Sequence, residues 1–179
     1  MVTILIYQDR FKGMRTLLTI WLISIAQLAR LQSVTQNTPA VISEWLNAHN
    51  EWRDEVGVQH LTWNENLAKS SEKWALNLSK DYGHLYHSKC GNGENIYWTS
   101  ADYSVPVDAT DGWGSEKEFY HNQKISGSNF KDFGHYTQMI WADTREVGCA
   151  IVSNGDNGTY VVCQYYPPGN YVGQHPYKK

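Results

Sequence analysis

Two strand-like runs, "EVGCAIVSN" (146–154) and "GTYVVCQYY" (158–166), flank the stretch "NGDNG" (154–158). They constrain the fold of this chain more than any other stretch. Both are rich in Val, Ile and Tyr, which suit a pleated, buried surface. Asn, Gly and Asp between them are turn formers. The spacing predicts a hairpin. If it is symmetric about Asp156, Cys149 lies opposite Cys163, and directly opposed residues bring their Cβ atoms within disulfide reach. Closing so short a loop stabilises a fold by roughly 3 kcal/mol in the chain-entropy model. The alternative is two reduced cysteines buried in a cytosolic sheet. The third cysteine, Cys90, is then the odd one out.

The N-terminal region favours the bridge. Lys12 and Arg15 precede "TLLTIWLISIA" (16–26), and small residues follow at Ser24, Ala26 and Ala29. A positive flank, a short apolar run and a small-x-small exit describe a secretory signal over 1–29, with Met14 as an alternative start. The run is too short to span a bilayer comfortably, so the expectation is a secreted, extracellular protein and not an integral membrane protein. Residues 30–38 read as a loose linker, and 39–179 as one domain. Net charge is −3 over 179 residues, which gives no electrostatic case for nucleic acid. Eight Trp and twelve Tyr supply either a heavy core or a contact surface.

Helices are expected on both sides of the sheet. Thr38 and Pro39 suit a helix start. From there Val41, Ile42, Trp45, Leu46, His49, Trp52 and Val56 fall on one face, up to Gly57. A second helix fits Asn64 to about Tyr82, with Gly83 as its stop. "ENIYW" (94–98) reads as a strand, Val107–Tyr120 as a helix, 121–134 as a polar loop and Tyr136–Trp141 as a short helix. The expected architecture is α+β: a three-layer α-β-α sandwich around a small, mostly antiparallel central sheet.

No nucleophile elbow, zincin helix or phosphate-binding loop is present. What remains is a scatter of His84, His87, His121 and His135 with Glu94, Glu116, Glu118 and Glu146. Two neutral imidazoles plus water, with carboxylates orienting them, make a reasonable site for zinc or another divalent metal. Spacing alone does not select which residues form it.

Longer motifs do. "FGHYTQMIWADTREVGCAIV" (133–152) and "YVVCQYYPPGNYVGQHPY" (160–177) resemble the two signatures of the CAP superfamily. "LNAHNEWRDEVGVQHLTWNENLAKSSEKWA" (46–75) and "HSKCGNGENIYW" (87–98) are similar to its opening helices and its H-S…G-E-N segment. That superfamily comprises cysteine-rich secretory proteins, venom antigen 5 and pathogenesis-related protein 1, sharing the SCP domain. The resemblance implies a cavity tetrad of His87, Glu94, Glu116 and His135, with His87 and His135 as the metal-binding pair in some members. His84 and His121 do not match. Plant members usually carry three disulfides, whereas this sequence can make one, from Cys149 and Cys163.

By resemblance, the expected function is a secreted binding module acting on sterol or other lipid, or in host and defence interaction. An extracellular protein partner fits the same expectation. The stretch 97–113 offers Trp98, Tyr103, Val105, Pro106, Val107 and Trp113 as a lipid groove, or as aromatics that complete the core. Competing readings are a metal-dependent, protease-like hydrolase using the tetrad, and a tetrad that only ties loops together. The family is not generally enzymatic.

Overall fold

The computed structural model describes residues 32–81 and 84–178. The signal segment 1–29 lies outside them, as do Tyr82 and Gly83 at the expected end of the second helix. The strands are β1 (Ser33–Val34), β2 (Thr62–Trp63), β3 (Gly93–Thr99), β4 (Glu146–Ser153) and β5 (Thr159–Tyr166). The helices are α1 (Pro39–Asp54), α2 (Glu65–Leu78), α3 (Pro106–Gly114) and α4 (Phe130–Met139), and a 3₁₀ turn, Ser115–Phe119, continues α3. Among the described residues no helix is long and apolar enough to cross a membrane.

The sheet runs β1-β4-β5-β3 with all these pairs antiparallel, and β2 joins β4 in parallel. Cys149 pairs with Cys163 in register, and the two form a disulfide. Alternation then sorts the strands. Val147, Cys149, Ile151, Val161, Cys163 and Tyr165 face the core beneath α1, α3 and α4, while Val152, Tyr160 and Val162 face α2. Both faces are apolar because helices cover both, as a three-layer sandwich requires. Replacing both bridge cysteines with alanine should lower unfolding free energy by roughly 3 kcal/mol. Urea midpoints of the two proteins at one pH measure it.

The helix ends follow local chemistry. Thr38 Oγ1 accepts from Val41 N with Pro39 in the first turn, and Asn64 Oδ1 accepts from Asn66 N and Leu67 N. Four expectations need correction. Residues 33–38 are not loose, because β1 pairs with β4 and the Asn37 side chain donates to the Cys149 carbonyl at 3.0 Å. The second helix stops at Leu78, and the third gives way to the 3₁₀ turn after Gly114. The expected loop 121–134 already contains the first turn of α4, which kinks at Phe133 before reaching His135.

Helix α1 carries two buried polar side chains. His49 and Arg53 are both fully buried. The Arg53 guanidinium donates to the carbonyls of Gln59, Met139, Trp141 and Thr144 at 2.7–3.1 Å. It ties the C-terminal end of α1 to the turn that leads from α4 into β4.

Candidate functional site

The segment ahead of β3 and the kinked α4 each deliver one histidine to a cavity of about 250 Å³, lined by His87, Glu94, Asn95, Phe130, His135 and Asn170 among others. A neighbouring cleft of about 400 Å³ shares His87, Glu94, Phe130 and Asn170 and continues over Ile125, Pro168 and Val172. Asn170 fixes one wall: its Nδ2 donates to the Gly134 carbonyl, and its Oδ1 accepts from Thr137.

Each histidine is held by a carboxylate through Nδ1. His87 Nδ1 lies 3.0 Å from Glu94 Oε1, and His135 Nδ1 lies 2.6 Å from Glu116 Oε1. The holders are better buried than what they hold. Side-chain exposure is 4% for Glu94 against 56% for His87, and 20% for Glu116 against 36% for His135. Glu94 also accepts from Ser88 N at 2.8 Å, Ser88 Oγ at 2.5 Å and Gln164 Nε2 at 3.1 Å. Glu116 Oε2 accepts from the backbone N–H groups of His135 and Tyr136, while the Trp113 ring stacks on the His135 ring at 6.3 Å. Glu118 is exposed on the same 3₁₀ turn, so Glu116 is the residue that meets His135.

Burial pushes the Glu94 carboxyl up, but the hydrogen bonds from His87, from the Ser88 side chain and backbone, and from Gln164 outweigh it and hold the group below its ordinary value. A depressed carboxylate stabilises the fold above its unfolded-state pKa, and that stability is lost as pH falls through the folded value. Glu94→Gln should therefore cost most near pH 7, and the gap to wild type should narrow as pH falls below about 4.5. Denaturant titrations at several pH values check this; a gap independent of pH would refute it.

The arrangement suits a metal through its imidazoles. With both Nδ1 atoms engaged by carboxylates, Nε2 of each ring is the nitrogen left for a ligand, which is the carboxylate–histidine pairing that tunes metal-binding rings. Among the described residues, no three of His87, Glu94, Glu116 and His135 bring ligand atoms within 4.8 Å of one another. A metal held here would have two imidazoles as its donors, with open positions. A second cluster, His49 with Cys149 and Cys163, does bring its atoms together. Its sulfurs are bonded to each other, and both His49 nitrogens are engaged, so it offers a metal nothing.

The remaining sequence candidates divide. Trp113 is a core residue whose indole N–H donates to the Ile96 carbonyl, and Pro106 is buried at the start of α3. Trp98, Tyr103, Val105 and Val107 are exposed, Tyr103 by 71%. His84 lies outside the cavity near Asp81, 3.6 Å away. Cys90 is exposed and unbridged, with Ser88 Oγ 3.1 Å from its sulfur. Sequence reading missed Ser88 and Gln164, the other donors to Glu94. Their only signal was proximity to the His87 and Cys163 motifs.

The chain is similar to known proteins. The profile of the cysteine-rich secretory protein family, CAP, matches residues 46–165. Pathogenesis-related protein 1C of Nicotiana tabacum is 38% identical over 134 residues, 75% of this chain and 79% of that protein. Pathogenesis-related protein PRMS of Zea mays is 38% identical over 162 residues, covering 89% and 95%. Among solved structures, NaASP2 with Zn²⁺ superposes with a TM-score of 0.68 at 27% identity, over 81% of this chain and 90% of that one. With its signature motifs, its sandwich and its relatives all in agreement, the chain belongs to the cysteine-rich secretory protein (CAP) family.

Proposed function

We propose that this CAP protein is a secreted, defence-related binding module whose cavity takes a divalent metal, zinc foremost, through His87 and His135. The observation that carries the reading is the pair of imidazoles facing one cavity, each tied through Nδ1 to a more buried carboxylate. Bound zinc would supply Lewis acidity and open coordination positions for a ligand. The chain's own residues orient the rings and wall the cavity. Because Glu94 and Glu116 both hold histidines, neither is free to act as a base, which favours binding over hydrolysis. The solved relative that holds Zn²⁺ and the relatives named for pathogenesis support the same reading. The disulfide suits an oxidising compartment.

Lipid contact rests on a separate feature. Tyr103, Val105 and Val107 form an exposed apolar patch where α3 begins, and such patches mark contact surfaces. Sterol or another lipid is the proposed partner there. Two measurements on the same sample test both parts: zinc calorimetry and a bound-sterol assay. His87→Ala with His135→Ala should abolish zinc uptake and leave sterol binding intact, and Val105→Asp with Val107→Asp should do the reverse. Zinc uptake that survives loss of both histidines sinks the metal reading; sterol binding that survives the aspartates sinks the patch.

A further inference from the structure

A chain of buried hydrogen bonds crosses the core and ends in the cavity. His49 Nδ1 lies 2.8 Å from the Trp45 carbonyl oxygen, which can only accept, so Nδ1 carries the proton. Burial pushes the pKa of His49 down to about 4, opposed by the Trp45 hydrogen bond and reinforced by the charge of Arg53, so the ring is neutral at pH 7. A neutral imidazole carries one proton, and Nε2 must therefore accept. The Tyr165 hydroxyl, 2.9 Å from Nε2, donates its single proton there. Its oxygen is left to receive Asn95 Nδ2 at 3.3 Å, and the same amide nitrogen donates to the His135 carbonyl at 3.0 Å.

Both neighbours of Asn95 thus demand its NH₂ end, and the amide can stand only one way. Asn95 is 1% exposed and lines the cavity with His87 and His135. Its Oδ1 accepts no hydrogen bond within the described residues. That oxygen is not one of the fully buried atoms, so at the cavity wall it is an acceptor within reach of a bound molecule.

We propose that Asn95 is a ligand-binding residue of the cavity, offering Oδ1 as acceptor to an N–H or O–H donor on the bound molecule. His49 and Tyr165 are positioning residues that fix the amide in that sense. The class of ligand follows: a metal-binding group with a hydrogen-bond donor beside it, as in a hydroxamate or an amide-bearing acid. The inference deepens the metal-binding reading and rests on it.

The test uses zinc-loaded protein and two probes, acetohydroxamic acid and its N-methyl analogue, which present the same chelating oxygens with and without an N–H. Wild type should bind the N–H probe about tenfold more tightly, the size of one buried hydrogen bond. Asn95→Ala should bind both alike, and Tyr165→Phe should lose most of the preference while still binding zinc. If wild type takes up no zinc, the metal reading falls and this inference with it. Zinc uptake with equal binding of both probes overturns the Asn95 acceptor alone, as does a preference that persists in Asn95→Ala. A preference retained in Tyr165→Phe overturns the positioning role. Should a variant not fold, wild type still decides. Nitrogen NMR should find the His49 proton on Nδ1 at pH 7, and a proton on Nε2 overturns the relay.

Discussion

Replacing Arg53 with alanine is expected to lower unfolding free energy by about 3–5 kcal/mol. The guanidinium is fully buried and, among the described residues, has no carboxylate partner; four backbone carbonyls share its charge. Burial, then the charge of Arg145, lowers its pKa to about 10, so it stays charged at pH 7. Truncation leaves those carbonyls without their donor inside the core, and each unsatisfied buried group costs about 1–3 kcal/mol. A fold of this size shifts its Tm by about 2–4 °C per kcal/mol, so a fall of about 6–20 °C should be seen. Arg53→Met separates volume from hydrogen bonding: it refills much of the space, supplies no donors and should recover little. Arg53→Lys keeps the charge but lacks the planar fork, and should sit between Met and wild type. Urea titrations of the three variants measure this. A loss under 1 kcal/mol in Arg53→Ala would mean that water replaces the guanidinium at little cost.

Gly148→Ala is the second large effect, at about 4 kcal/mol. Gly148 sits in β4 where α2 packs down on the sheet. A Cβ there would stand 2.2 Å from Ala68 N, 2.5 Å from Asn64 O and 2.7 Å from Leu67 C. These are backbone atoms in the first turn of α2, so no rotamer change relieves the clash. Overpacking costs up to about 3 kcal/mol in a close-packed core. Lifting the helix also strains the buried bond from Ser71 Oγ to the Gly148 carbonyl, 2.7 Å long and good for about 1 kcal/mol. By contrast Gly127, where a Cβ would meet nothing within 4 Å, should accept alanine with little change. Differential scanning calorimetry of the two variants provides the comparison, and equal Tm values would refute the close-approach argument.

Arg53 and Gly148 also mark where sequence reading stopped. The apolar face of α1 was legible from spacing, and Trp45 is indeed buried with Val41, Leu46, Trp52 and Val56 packed against the core. Arg53 fell outside because periodicity counts apolar residues, and its acceptors are carbonyls up to 91 positions away. The Cys149–Cys163 register was legible because a symmetric turn dictates it locally. Gly148 was not, because its need comes from a different element. The tetrad positions came from motif likeness; their pairing into His87–Glu94 and His135–Glu116 did not. Helix α4 begins earlier than apolar spacing indicates because its first turn, "FKD", is bounded by polar, glycine-containing sequence and carries little apolar pattern.

The two-residue strand β1 is small, yet it lies along β4 and adds Thr35 N–H to the Ile151 carbonyl at 3.0 Å. With β2 alongside the opposite end of the same strand, both ends of the outer margin of β4 are paired. Unpaired strand margins are templates for sheet-to-sheet aggregation between molecules. A protease that nicked the chain between Val34 and Pro39 would cut this strip free, baring Ile151–Ser153 as a sticky seam. Colloidal shelf life, and not ligand binding, is the property that such a cut would damage first.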